Sequence, residues 1–355
     1  MKILLSGYYG FGNAGDEAVL AAILAHLSER FNQPRFSVAS GDPNATAQMH
    51  ASAAQKYFLH GVKRDDFKAL AAEMKKTDLF ISGGGSLLQD VTSLRNVAYH
   101  CGLLRLAQFK RKPSMMYAQG VGPLNLPLSQ KLVRMAAARA RAITVRDNAS
   151  KVLLQSIGVK TPIQVTADPV WGLDAASENS PPFRKETVWC VSMRSWPDVD
   201  EQDSRLRVAA TLAALRDLAM RRGAVLRFLP MQAKVDDKLL AALGVSPSEW
   251  IATAGVHPAR IMAQTAHCDL MIAMRLHALI FAASQKVPCV AIDYDPKVAA
   301  LAEILHIPLL QATECSQSDK LGAAIDTAQP PQAATVTALA EAAKRNAEIA
   351  ANCRK

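Results

Sequence analysis

At 355 residues and 50% hydrophobic composition, the chain exceeds one ordinary core and suits two α/β domains. A formal charge of +10 favours anionic partners, but only 6% of residues are aromatic and the basic ones are not interleaved with them, which excludes a stacking platform for single-stranded nucleic acid. No apolar run approaches bilayer-spanning length and Ile3-Leu4-Leu5 is too short for a signal-peptide core, so a cytoplasmic protein is expected.

Strand-like runs alternate with helical patterns from the start. A strand over residues 2–7, a helix over 16–31 and a strand over 36–40 precede further strands over 78–82, 114–118 and 142–145. This rhythm predicts parallel βαβ units. The polar segment Ser177-Glu178-Asn179-Ser180-Pro181-Pro182 interrupts it and reads as a linker. Beyond lie predicted strands over 187–193, 224–229, 269–273 and 288–292, with helices over 204–222, 258–267, 275–285 and 298–305. Residues 335–354 are alanine-rich and free of helix breakers. The expected organisation is an N-terminal domain over 1–176, a linker over 177–186, a C-terminal domain over 187–332 and a closing helix over 333–355.

Six cysteines, Cys101, Cys190, Cys268, Cys289, Cys315 and Cys353, show neither C-x-x-C nor C-x-x-C-H spacing. The four central ones lie in or beside apolar segments and read as buried free thiols rather than as disulfide, zinc or haem ligands.

Three glycine loops follow predicted strands. Gly10-Phe11-Gly12-Asn13-Ala14-Gly15 fits the dinucleotide pattern G-x-G-x-x-G. Asp16 follows directly and would compete with a pyrophosphate for the positive helix end. A tight turn explains the glycines without a cofactor, and helix capping explains Asp16 without catalysis. Equally, Asn13 and Asp16 at a strand end suit orientation and deprotonation of an acceptor hydroxyl. Ser82-Gly83-Gly84-Gly85-Ser86, expected to open a helix near Leu87, lacks the G-K-[ST] of a P-loop, and Gln119-Gly120-Val121-Gly122-Pro123 closes another strand. Together the loops would line a cleft through Gly84, Gly85, Ser86 and Gln119.

Cations also gather after strands: Arg146, Arg194, Arg275 in Met274-Arg275-Leu276-His277-Ala278, and Lys297 in Asp293-Tyr294-Asp295-Pro296-Lys297. Singly, each reads as a salt bridge; as a set they suit a small substrate with two anionic groups. His277 reads either as a core or interface residue or, two positions after Arg275, as a proton donor or acceptor. Two D-x-D patterns, Asp198-Val199-Asp200 and Asp293-Tyr294-Asp295, raise a divalent metal. Lys297 opposes a cation at the second, so a metal-free site is expected.

These segments resemble the polysaccharide pyruvyl transferase family, specifically its CsaB-like branch. The resemblance is carried by residues 7–18, Ser82-Gly83-Gly84-Gly85-Ser86-Leu87-Leu88-Gln89-Asp90, Gln119-Gly120-Val121-Gly122-Pro123, Thr144-Val145-Arg146-Asp147, Ala167-Asp168-Pro169 and the Arg275-Leu276-His277 segment. It implies two Rossmann-like domains facing across a cleft, as in metal-independent GT-B glycosyltransferases, with the acceptor on the N-terminal side and the donor on the C-terminal side. It also implies phosphoenolpyruvate as co-substrate without a further cofactor, and as acceptor an N-acetylmannosamine unit of a lipid-linked cell-wall polymer precursor. The product would carry a pyruvate ketal used in surface-layer anchoring. Arg146, His277 and Lys297 are the donor-site residues implied; nothing is implied for Asp293 or the tail beyond Leu310.

Phosphoenolpyruvate carries a carboxylate and a phosphate on one small skeleton, which suits clustered Arg and Lys. His277 is then the acid or phosphate partner, Asp16 the candidate base, and Arg146, Arg275 and Lys297 the cradle, with Arg194 beside them. A lipid-linked acceptor would draw the enzyme to the inner membrane face, assisted by Lys110-Arg111-Lys112, Arg134, Arg139 and Arg141 on expected helices; an ordinary solvated basic face explains these residues equally. Two rival functions remain: a nucleotide-sugar-dependent GT-B glycosyltransferase, and a non-catalytic dinucleotide-binding regulator built on the first glycine loop.

Overall fold

The computed structural model describes residues 1–51, 56–91, 93–176, 186–197 and 199–353. The chain divides into two compact units, Met1–Leu173 with Leu339–Lys355, and Asp174–Ala338. Most of the expected linker, residues 177–185, lies outside the described residues, as does Asp198 of the first D-x-D pattern.

The first unit alternates strand and helix: β1 Lys2–Tyr9, α1 Ala14–Arg30, β2 Arg35–Ser40, α2 Pro43–Met49, β3 Phe58–Lys63, α3 Phe67–Lys76, β4 Leu79–Leu88, α4 Leu94–Phe109, β5 Ser114–Val121, α5 Pro127–Ala137, β6 Ala142–Val145, α6 Asn148–Ser156 and β7 Ile163–Val165. The strands form one parallel sheet in the order β3-β2-β1-β4-β5-β6-β7. Helices cover both faces, which is why β1 and β4 are apolar runs rather than alternating ones; Ile3, Leu4, Leu5, Phe80 and Ile81 are fully buried. Strand order reverses between β1 and β4, the switch point where a doubly wound sheet opens a crevice at its carboxyl ends.

The second unit repeats the plan with β8 Thr187–Ser192, α7 Glu201–Arg221, β9 Ala224–Phe228, α8 Ala233–Ala242, α9 Pro258–Thr265, β10 Leu270–Ala273, α10 Leu276–Ser284, β11 Cys289–Asp293, α11 Pro296–Leu305, β12 Leu309–Gln311 and α12 Ser318–Thr327. Its parallel sheet has the order β12-β11-β10-β8-β9, with the reversal between β8 and β10. The last helix, α13 Ala333–Asn352, docks on the first unit. There Thr166 Oγ1 donates to Asn346 Oδ1 at 2.8 Å, Asn346 Nδ2 donates to Ala167 O at 3.3 Å, and Arg30 pairs with Glu348 at 2.6 Å.

Two boundary expectations are corrected. β4 does not end at Ser82, and no helix opens near Leu87: the strand continues through Gly83, Gly84 and Gly85 to Leu88, and α4 starts only at Leu94. Gly84 and Gly85 take φ +52° and +76°, so a side-chain pattern loses the strand where its backbone ladder continues, Gly85 opposite Gln119 and Leu88 opposite Val121. A Cβ on Gly84 would also run into Val19 of α1, so this glycine lets helix and sheet approach. β5 likewise continues to Val121. The short or edge elements β3, β7, β12 and α2 were not among the expected elements, although Asp42-Pro43 caps the start of α2.

All six cysteines are free and buried, Cys101 and Cys353 as well as the central four. Among the described residues no helix is long and apolar enough to cross a membrane.

Candidate functional site

In the first unit the glycine loop after β1 is set by backbone geometry. Gly10 sits at φ +78°, and a Cβ there would collide with the Ser40 side chain and the Asp42 backbone. Asn13 caps α1, its Oδ1 accepting from Gly15 N at 3.0 Å. Gly10 N donates to Glu17 Oε1 at 2.7 Å. The side chains of Asn13 and Glu17 thus take two loop N–H groups at the helix end where a dinucleotide pyrophosphate would bind, which weighs against the dinucleotide reading.

Glu17 is 3% exposed. Burial pushes its carboxyl up to about 7, opposed by the Gly10 hydrogen bond and reinforced by the neighbouring Asp16 charge. A raised carboxyl pKa means the fold holds a proton that the unfolded chain releases above about 4.5, so stability falls as pH rises through about 7. Glu17→Gln keeps an acceptor for Gly10 and removes the titration. It should flatten this slope, a difference on the order of 3 kcal/mol between pH 4.5 and 8, readable in denaturant melts across that range.

Asp16 is the third residue of α1, half-buried against β4; a Cβ on Gly85 would sit 3.2 Å from its Oδ1. Arg146, just after β6, is 6% exposed. Its guanidinium donates to Asp168 Oδ2 at 2.8 Å and to Ser86 Oγ at 2.9 Å, and stands 3.7 Å from Asp147. A Cβ on Gly120 would lie 2.8 Å from Arg146 Nε, so the third glycine loop makes room for the arginine. The Tyr9 hydroxyl donates to Gly83 O at 3.0 Å, and burial followed by the charges of Asp16 and Glu17, with Asp168 contributing, pushes its pKa well up. Asp16, Glu17 and Asp168 therefore share one neighbourhood around Tyr9, beside Ser86 and Arg146 at the carboxyl ends of β4, β5 and β6.

Gln119 has a different place: it is fully buried, and its Nε2 donates to Ser82 O at 2.9 Å, tying β5 to β4. Two members of the site had no assigned role in the sequence. Asp168 stands in the quoted Ala167-Asp168-Pro169 segment after the three-residue β7, and Glu17 stands in the helix start; a carboxylate inside a glycine-loop segment was the available signal.

In the second unit β10 lies between β8 and β11, so Arg194, Arg275 and Lys297 follow three adjacent strands on the same sheet edge. Arg275 is the N-cap of α10 and makes no side-chain cap bond, leaving the first-turn N–H groups to other partners. His277 is the second residue of α10, in its first turn, and is half-buried. The Arg275 guanidinium pairs with Asp236 of α8, a carboxylate 1% exposed that also accepts from Gln232 N at 2.9 Å. Nothing in the sequence singled out Asp236. The Arg194 guanidinium lies 4.9 Å over the Tyr294 ring and donates to Ser195 O at 3.2 Å. Asp295 caps α11 by accepting from Lys297 N at 2.9 Å, which turns the lysine into the first turn beside the β11 end.

Arg139 and Arg141 lie beyond α5, and Arg111 and Lys112 beyond α4, with Arg111 at φ +55°; the expectation of helical positions holds only for Arg134, with Lys110 as the C-cap of α4. Arg111, Lys112, Arg139 and Arg141 line one hollow of ≈ 450 Å³ together with buried Cys353. Among the described residues no group of three His, Cys, Asp or Glu is placed to hold a metal.

Two parallel α/β units, each with candidate residues gathered at the carboxyl ends of its strands, fit the architecture of GT-B glycosyltransferases and sugar-nucleotide epimerases. Solved structures agree on the fold. The UDP-GlcNAc 2-epimerase of Methanocaldococcus jannaschii matches with TM-score 0.58 at 12% identity, covering 92% of this chain and 91% of its own. A Staphylococcus aureus MnaA–UDP structure matches with TM-score 0.62 at 9% identity, covering 96% and 91%. A glycosyltransferase from Rickettsia africae matches with TM-score 0.56 at 12% identity, covering 98% and 93%. No curated protein sequence matches the chain. The model of the polysaccharide pyruvyl transferase family matches residues 13–296, and the chain belongs to that family.

Proposed function

We propose that the protein transfers the pyruvyl group of phosphoenolpyruvate to a sugar diol, forming a pyruvate ketal with release of phosphate. The observation that carries this reading is the sheet edge of the second unit, where Arg194, Arg275 and Lys297 follow three adjacent strands and His277 opens α10. A helix N-terminus flanked by cations suits the phosphate, and a guanidinium suits the carboxylate. The Asp236 partner holds the Arg275 fork in one orientation before substrate arrives.

In this mechanism His277 delivers a proton to the methylene carbon, C2 becomes electrophilic, and a sugar hydroxyl adds to it. The hydroxyl proton goes to a carboxylate, for which Asp16 is the assigned base. Phosphate then departs with the C2–O electron pair, stabilised by Lys297 and the α10 N-terminus. The second hydroxyl of the same sugar adds to C2, passes its proton to His277, which gave one up in the first step, and closes the ketal. Arg146 keeps the donor assignment that the family resemblance implies, and Ser86 and Asp168 hold its guanidinium in place.

The finer reading is an N-acetylmannosamine acceptor in a lipid-linked polymer precursor, as in the CsaB-like branch, with the ketal serving as an anionic mark for surface-layer anchoring. The reaction needs no metal. The deciding experiment measures phosphate release from phosphoenolpyruvate with and without an N-acetylmannosamine-containing lipid-linked disaccharide. Acceptor-dependent release supports the proposal; turnover of UDP-N-acetylglucosamine without any use of phosphoenolpyruvate would replace it with a nucleotide-sugar glycosyltransferase.

A cytoplasmic enzyme acting on a lipid-linked acceptor works at the inner membrane face, and the hollow formed by Arg111, Lys112, Arg139 and Arg141 supplies a matching positive surface. Co-sedimentation with phosphatidylglycerol vesicles at low salt is expected, weakening several-fold in the quadruple Ala variant and at high salt. Equal sedimentation with neutral vesicles would remove the electrostatic contact.

A further inference from the structure

The first unit carries a second feature at the same sheet end, which the chemistry above leaves unused. Phe11, inside the glycine loop, stacks on Tyr8 with ring centroids 4.4 Å apart. The Arg64 guanidinium lies 5.1 Å over Phe11 and 4.3 Å over Tyr99, and the Tyr99 hydroxyl donates to Arg64 O at 3.1 Å. Phe67 continues the row edge-on to Tyr99 at 6.2 Å, yet it is 61% exposed. Beside this row lies a hollow of ≈ 660 Å³ lined by Arg64, Phe67, Ser93, Arg95, Asn96 and Tyr99.

In a chain with 6% aromatic residues, a row of Tyr8, Phe11, Tyr99 and Phe67 threaded by one arginine is a concentrated feature. Arg64 makes no salt bridge among the described residues; its guanidinium lies against the Phe11 and Tyr99 rings and brings N–H donors to the hollow it lines. Asn96 donates to Leu87 O at 2.8 Å, which fixes the amide at the hollow's wall and leaves its carbonyl oxygen as an acceptor. An open apolar ring face beside fixed planar donors suits a sugar ring, whose C–H face packs on the aromatic side chain while its hydroxyls meet the donors.

We propose that this hollow is a saccharide subsite, holding a sugar unit of the acceptor adjacent to the one that is pyruvylated. The inference rests on the reading of the first unit as the acceptor side, and on the polysaccharide class to which the family belongs. Phe11 links the two places, since it lies between Gly10, whose N–H is held by Glu17, and the Arg64 stack. The hollow would thus make the enzyme prefer an oligosaccharide acceptor to a free monosaccharide.

The test is saturation-transfer NMR of full-length protein without phosphoenolpyruvate, titrated with N-acetylmannosaminyl-N-acetylglucosamine, N,N′-diacetylchitobiose and lactose. Phe67→Ala and Arg95→Ala alter exposed side chains, and unchanged thermal melts check that both variants fold. At least one disaccharide is expected to bind wild type, with Kd about tenfold weaker in Phe67→Ala, as for loss of one aromatic contact. In turnover, KM for that saccharide should rise while KM for phosphoenolpyruvate holds. Equal binding by wild type and both variants, no binding of any disaccharide, or saccharide binding displaced by phosphatidylglycerol vesicles would overturn the subsite. Saccharide binding that weakens in the variants of a protein that never turns over phosphoenolpyruvate would sink the donor reading and leave the subsite standing.

Discussion

His277→Ala is expected to lower acceptor-dependent phosphate release by about 10²–10⁴-fold, the usual contribution of a positioned general acid. Lys297→Ala should act at the departing phosphate, cutting kcat and raising KM for phosphoenolpyruvate together, because the charge serves both ground state and transition state. His277 is half-buried in the first turn of α10 and Lys297 lies in the first turn of α11, so neither change opens a core cavity, and thermal melts of both variants should stay near wild type. Steady-state kinetics of the two variants and their double mutant check the assignment. Full activity in both would remove it, and a double mutant no worse than the singles would mean that the two act as a unit.

Arg146→Ala should damage the fold as well as the activity. Arg146 is 6% exposed and Asp168 5%, and removing one partner of a buried ion pair leaves the other charged and uncompensated. A loss of about 3–5 kcal/mol in unfolding free energy is expected, together with loss of turnover. Ser86 loses its partner in the same step. Pairing the change with Asp168→Asn separates the two roles: stability should recover in part because the buried carboxylate is gone, while activity should not return. Arg146→Lys is expected to fall between, since an ammonium cannot reproduce the two-armed contact to Asp168 and Ser86. Denaturant melts and phosphate release on the three variants read both effects, and an Arg146→Ala variant with wild-type stability would contradict the buried pair.

The alternation of apolar runs with helical patterns makes two parallel α/β units legible without coordinates, because helices on both faces require uniformly buried strands such as β1 and β4. Family membership was equally legible, since it resides in ordered motifs such as the Arg275-Leu276-His277 segment. Glycines blurred the boundaries: with φ positive at Gly84 and Gly85, β4 loses its side-chain signature yet keeps its ladder, so its last six residues read as loop and helix.

Pairing is what only the tertiary structure decided. Arg146 and Arg275 stand out as cations at strand ends, but that Asp168 holds one and Asp236 the other follows from segments 22 and 39 residues away. Glu17 looks like one more first-turn acid until burial and the Gly10 N–H make it a proton-holding group near neutral pH. The aromatic row assembles from β1, its loop, the turn after β3, and α3 and α4. Local sequence dictates which elements form because backbone periodicity is local; it does not dictate which charges meet, because that depends on the order in which strands lie side by side.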